Sequence, residues 1–115
     1  MCLSLRVKIT VPRRKAGYGW KVFRRERRQL FSVCQDEFTV RPRKKWLDAG
    51  PYAGRTHDDG WHIYLRKADV KTAYMATEHG VLLRVRYRGA FARGIGDGGW
   101  NNRAHVVVAK ELYIL

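Results

Sequence analysis

From Gly80 to Gly89 the side chains alternate with a two-residue period. Val81, Leu83, Val85 and Tyr87 fall on one face, and Leu82, Arg84, Arg86 and Arg88 on the other. This is the pattern of a half-buried β-strand. It sets three arginines in a row, each roughly 7 Å from the next. Such a row repels itself, and an anionic partner lying along it is the simplest way to relieve the repulsion.

The same reading extends along the chain. Leu3 to Val11 alternates, with Leu3, Leu5, Val7, Ile9 and Val11 facing a core, and Pro12 ends the ladder. Arg13 to Gly19 reads as an exposed basic loop. Trp20 to Arg24 and Gln29 to Cys34 form a hairpin around Arg25 to Arg28, and Glu37 to Arg41 is a short strand stopped by Pro42. Arg43 to Gly60 holds Gly50, Pro51, Gly54 and the Asp58-Asp59 pair, an irregular loop long enough to be a functional suspect. Strand character returns at Gly60 to Leu65. Between Lys67 and His79, the stripe Ala68, Val70, Ala73, Tyr74 and Thr77 predicts one helix, with Gly80 as its C-cap. Ala90 to Asn102 is a glycine-rich loop, and Ala104 to Leu115 is a long β-branched and aromatic run suited to a central strand. The expectation is a single α+β domain over residues 1–115. It would be a curved, mainly antiparallel sheet or open barrel with one helix on a face or at an end.

Composition narrows the partner. Lys and Arg number 24 against 10 acids, a net charge of +14. A charge of that size draws polyanions from a distance. Arginines outnumber lysines 16 to 8, which favours bidentate phosphate contacts and stacking over simple solubility. The hydrophobic fraction of 45% argues for a packed core rather than disorder. No run approaches the roughly 20 apolar residues of a membrane span, and Met1 to Arg6 is too short and too soon charged for a signal peptide. Cys2 and Cys34 lack metal-type spacing and read as reduced thiols of a cytoplasmic protein.

Charge of one sign accumulates in separate segments. Arg13 to Arg28 holds eight cations, Lys21, Arg24 and Arg25 among them, against Glu26 alone, with Tyr18, Trp20 and Phe23 interleaved. Arg41, Arg43, Lys44 and Lys45 beside Trp46 repeat the mixture. Cations set among π-faces are the means by which proteins grip phosphates and stack bases. Arg93, in the glycine-rich stretch, is a further candidate contact.

Catalytic and metal chemistry find little support. His57-Asp58-Asp59-Gly60-Trp61-His62 is the one metal-capable cluster, but its spacing matches no common ligand set and reads better as a turn entering a strand. Neither Ser4 nor Ser32 sits in a nucleophile elbow. Gly94 to Gly99 lacks the helix and Lys-Ser/Thr ending of a phosphate-cradling loop. No cofactor and no metal is expected.

The order Gly60-Trp61-His62, the Lys67–Thr77 helix, the Val81–Gly89 strand, the Ala90–Asn102 loop and the ending Ala109-Lys110-Glu111-Leu112 resembles a loose group of small phage and prophage proteins of unknown function. The likeness covers the C-terminal half. It implies an α+β fold and a viral origin but no activity. In that group the strand before the glycine is often acidic, whereas here it carries Arg84, Arg86 and Arg88. A shared fold therefore does not bring a shared partner, and His62 is the one position carried over, without a role.

The leading expectation is a non-enzymatic binding protein, a monomer or homodimer, that engages nucleic acid. Arg84, Arg86, Arg88, Lys21, Arg24, Arg25 and Arg93 would contact phosphates, and Trp20 and Trp46 would stack. The alternative is a phage counter-defence protein in the host cytoplasm. It would be an anti-CRISPR-type inhibitor docked on an acidic or nucleic-acid-containing host complex, or a sponge for a signal nucleotide. An enzyme built on His62, Asp58 and Asp59 ranks behind both.

Overall fold

A computed structural model describes residues 5–26, 29–32, 35–40, 45–51, 53–55, 59–67, 80–96 and 104–115. Eight strands account for most of them: β1 (Leu5–Thr10), β2 (Gly17–Glu26), β3 (Gln29–Ser32), β4 (Gln35–Val40), β5 (Leu47–Asp48), β6 (Trp61–Tyr64), β7 (Gly80–Gly96) and β8 (Ala104–Ile114). The sheet order is β1-β7-β8-β6-β2-β3-β4, with β5 on β8 and a further pairing of β7 with β2. All the strand pairs are antiparallel. β7, β8, β6 and β2 thus pair in a closed cycle, a ring-like sheet. β1 flanks the second half of β7, and the β3–β4 hairpin extends from β2.

The ring accounts for the core. Phe23, Trp61, Ile63, Val85, Tyr87, Ala90, Val107, Ala109 and Leu112 come from all four of its strands and form one buried cluster on the inner side. Val22, Tyr64, Ala92, Val106 and Val108 form a second buried cluster on the outer side, with Trp20, Leu82 and Phe91 against it. Full burial of a side chain such as Phe23, Ile63 or Leu112 contributes about 1.5–3 kcal/mol. All four residues of β6 are buried, so this short strand has both faces covered.

Two glycines let the ring close and turn. A Cβ on Gly19 would collide with Ile63 Cγ2 and lie 2.7 Å from the Tyr64 carbonyl oxygen, so the bare backbone of β2 rests directly against β6. Gly89 has φ 66°, a left-handed value that suits glycine. It breaks the alternation of β7: Arg88 is exposed while Ala90 is buried inward, although a regular strand would place both on one face. The same switch falls between Ala109 and Glu111 on β8, whose registers are Ala90↔Ala109 and Arg88↔Glu111.

The α+β expectation is not met: the described residues form a mostly antiparallel sheet. The helix read between Lys67 and His79 falls, after Lys67, outside the described residues. Ala90 to Gly96, read as loop, instead continues β7 to a length of 17 residues. Its glycines suggest a break, but pairing with both β1 and β8 supplies the missing order. Ile9 and Val11, read as core-facing, are 44% and 72% exposed. β1 flanks the ring, and its end receives no cover from it. The hairpin of β2 with β3, and the central place of β8 between β7 and β6, agree with the sequence pattern. No helix among the described residues is long and apolar enough to cross a membrane.

Candidate nucleic-acid interface: an interleaved row of cations and rings

The outward residues of β7 meet the outward residues of β2. The register Tyr18↔Arg86 and Trp20↔Arg84 sets these two rings against the arginine row. Lys67 Nζ lies 5.1 Å from the centroid of Trp20. The guanidinium of Arg84 is 5.8 Å from Trp20 and 5.5 Å from Tyr18. Arg86 is 5.5 Å from Tyr18 and 5.6 Å from Trp46, and Arg88 closes the row at 4.2 Å from Trp46. The order Lys67, Trp20, Arg84, Tyr18, Arg86, Trp46, Arg88 therefore alternates cation and ring throughout. Tyr113, opposite Arg86 on β8, backs Trp46 at 5.6 Å with the rings tilted by 60°.

This arrangement answers the repulsion that the sequence raises. Two unit charges roughly 7 Å apart in water repel by about 0.6 kcal/mol. An exposed cation–ring contact contributes about 0.5–1 kcal/mol. Arg84 and Arg86 each touch two rings, so ring contacts offset neighbour repulsion without any bound anion. A guanidinium that packs on a ring face can still donate its edge N–H groups to a phosphate oxygen.

Neutralisation by acids is sparse. Arg88 Nη2 donates to Glu111 Oε2 at 2.7 Å. Among the described residues no carboxylate pairs with Arg84 or Arg86. Tyr18 is the most open ring, at 54% exposed, whereas Trp20 and Trp46 are half-buried.

The remaining candidate residues divide. Trp20, Trp46, Arg84, Arg86 and Arg88 come together. Lys21 does not: it points inward with Phe23, is 6% exposed, and its Nζ donates to the His62 carbonyl at 2.9 Å. Its ammonium sits 5.9 Å from the Phe23 ring and 5.8 Å from the Trp61 ring. Arg25 is exposed but has the register parity of Lys21 and Phe23, away from the row. Arg24 pairs along the backbone with Phe31 and Gly80. Arg93 follows the switch at Gly89 and lies on the inner side of β7 beside Tyr87 and Val107. His62 is buried, and His57 and Asp58 lie outside the described residues, as do Cys2 and Cys34. Tyr18, one of the rings that the sequence interleaves with the cations, takes its place in the row. Lys67 and Tyr113 are not among the expected contacts and reach the row only through the tertiary fold.

Comparison with protein families, with curated proteins and with solved structures found no match to this chain.

Proposed function

We propose that this protein binds nucleic acid through the outer face of β7 and β2, with Arg84 and Arg86 as the principal phosphate contacts. The observation that carries the reading is the row of arginines held between rings, two of them without a carboxylate partner among the described residues, on a chain of net charge +14. Because Trp20 and Trp46 already carry cations and are half-buried, the arginine edges and the open Tyr18 ring are the groups that meet the ligand first. Binding of this kind is led by the backbone, tolerant of sequence and steeply dependent on salt, since each neutralised phosphate releases counterions. No chemical step is assigned to the face.

The test is binding of nuclease-treated protein to short labelled RNA, single-stranded DNA and duplex DNA across a salt series. The triple variant Arg84→Glu/Arg86→Glu/Arg88→Glu runs beside the wild type. Binding with a steep salt slope that the folded triple variant loses supports the interface. Binding indifferent to the triple change, or absent at low salt, rejects it.

A further inference from the structure

A separate cavity opens on the other side of β7. It has a volume of about 630 Å³ and is lined in part by Arg13, Arg14, Arg93, Tyr87, Leu65 and Val107. Among the described residues that line it are three arginines and no carboxylate. Leu65 and Val107 give it an apolar wall continuous with the inner core.

The fold builds this cavity deliberately from distant segments. Arg13 and Arg14 sit on the loop between β1 and β2. The loop is pinned at one end by the buried Pro12 and at the other by a hydrogen bond from Ala90 N–H to the Lys15 carbonyl, 2.9 Å. Antiparallel pairing of β1 with β7 brings Thr10 opposite Arg93. Tyr87 approaches from the inner face, where the bare backbone of Gly17 makes room: a Cβ there would lie 2.8 Å from the Tyr87 hydroxyl oxygen. The guanidiniums of Arg93 and Arg14 act on that hydroxyl, favouring its ionised form against the burial that opposes it.

We propose that this cavity binds a phosphate monoester, its dianion on Arg13, Arg14 and Arg93 and its organic part against Leu65 and Val107. The volume falls in the range of small-molecule sites, about 300–1,000 Å³. A monoester carries about −1.5 to −2 charge at neutral pH and three acceptor oxygens, which suits three guanidinium forks. A phosphate inside a nucleic-acid chain carries a single charge and substituents on both sides, whereas a free organophosphate and the terminal phosphate of a chain each offer three guanidiniums a dianion.

Isothermal titration of the full chain decides it, with the four ribonucleoside 5′-monophosphates, ribose 5-phosphate and the parent nucleosides as probes. Short oligonucleotides with a 5′-phosphate or a 5′-hydroxyl form the second arm. Arg14→Ala and Arg93→Ala change exposed side chains, and thermal unfolding confirms that each folds. The expected result is that at least one phosphorylated probe binds about ten-fold or more tighter than its unphosphorylated counterpart. Each alanine variant loses most of that preference, and the Arg84/Arg86/Arg88 triple variant keeps it. A preference confined to the monophosphates assigns a free ligand, and one seen with the oligonucleotides assigns a chain end. Equal binding of phosphorylated and unphosphorylated probes overturns the proposal, as does a preference that survives both alanine changes or disappears in the triple variant. Because the arginine row lies on the opposite face, failure here leaves that interface standing, and its failure leaves the cavity standing.

Discussion

The guanidinium of Arg88 lies 4.2 Å from the ring centroid of Trp46, the tightest of the cation–ring contacts in the row, and also donates to Glu111. Trp46 also carries Arg86 and is backed by Tyr113. One ring from the β4–β5 connection thereby fixes two arginines of β7 to β8, and the row depends on it.

Trp46→Ala is therefore expected to cost about 1–2 kcal/mol in urea unfolding, from two lost cation–ring contacts and the lost burial. It should also weaken nucleic-acid binding a few-fold by freeing Arg86 and Arg88 to sample many orientations. Unchanged stability and unchanged binding in the variant would remove Trp46 from the row.

Glu111→Gln should do the reverse to affinity. It removes a carboxylate that competes with phosphate for Arg88, so binding strengthens by about two- to five-fold at low salt, and the gain shrinks as salt screens the charge. A Kd equal to or weaker than that of the wild type contradicts Arg88 as a phosphate contact.

Lys21 carries the opposite expectation. Lys21→Ala should destabilise the fold by about 2–3 kcal/mol, through lost packing and the lost hydrogen bond to the His62 carbonyl. Its salt slope for nucleic-acid binding should match that of the wild type, because a cation facing Phe23 and Trp61 releases no phosphate counterions. A shallower slope in a folded Lys21 variant would place this lysine at the interface after all.

Gly19→Ala tests how the ring closes. Its methyl group would meet Ile63 and the Tyr64 carbonyl, so β2 must lift from β6 at an expected cost of about 1–3 kcal/mol. Hydrogen exchange at Trp20 and Tyr64, the paired residues of β2 and β6, should accelerate before exchange in the β7–β8 ladder does.

Tyr87 should titrate late. Burial raises its pKa above the ordinary 10.0, with Arg93 and Arg14 acting against the rise. The folded state then holds the proton more tightly than the unfolded chain. Its contribution to stability is complete below pH 10.0 and declines as pH climbs through the raised value. The phenolate absorbance of the wild type minus that of Tyr87→Phe should therefore have its midpoint above pH 10.0. A midpoint below it would contradict the burial.

What the sequence by itself determined is local alternation. Val81 to Arg88 assigns its own faces, because a strand has a strict two-residue period and the buried face must be apolar. Val85 and Tyr87 are indeed buried and the three arginines exposed. Tyr18 and Trp20 share a face on the same grounds, and the apolar run Val106 to Ala109 is buried throughout, as a central strand requires. Tertiary structure decided the rest. The pattern around Lys21 offers a cation between two apolar neighbours, and only the closing of β2 onto β6 and β7 sets which face turns inward. Arg93 reads as one more surface arginine until Gly89 switches the faces of β7 and Thr10 of β1 draws alongside it. Lys67, beyond the end of β6, and Tyr113 of β8 join the row from segments distant in sequence. Periodicity is a property of neighbours along the chain, whereas a binding face is a property of strand order and register, which long-range pairing alone establishes.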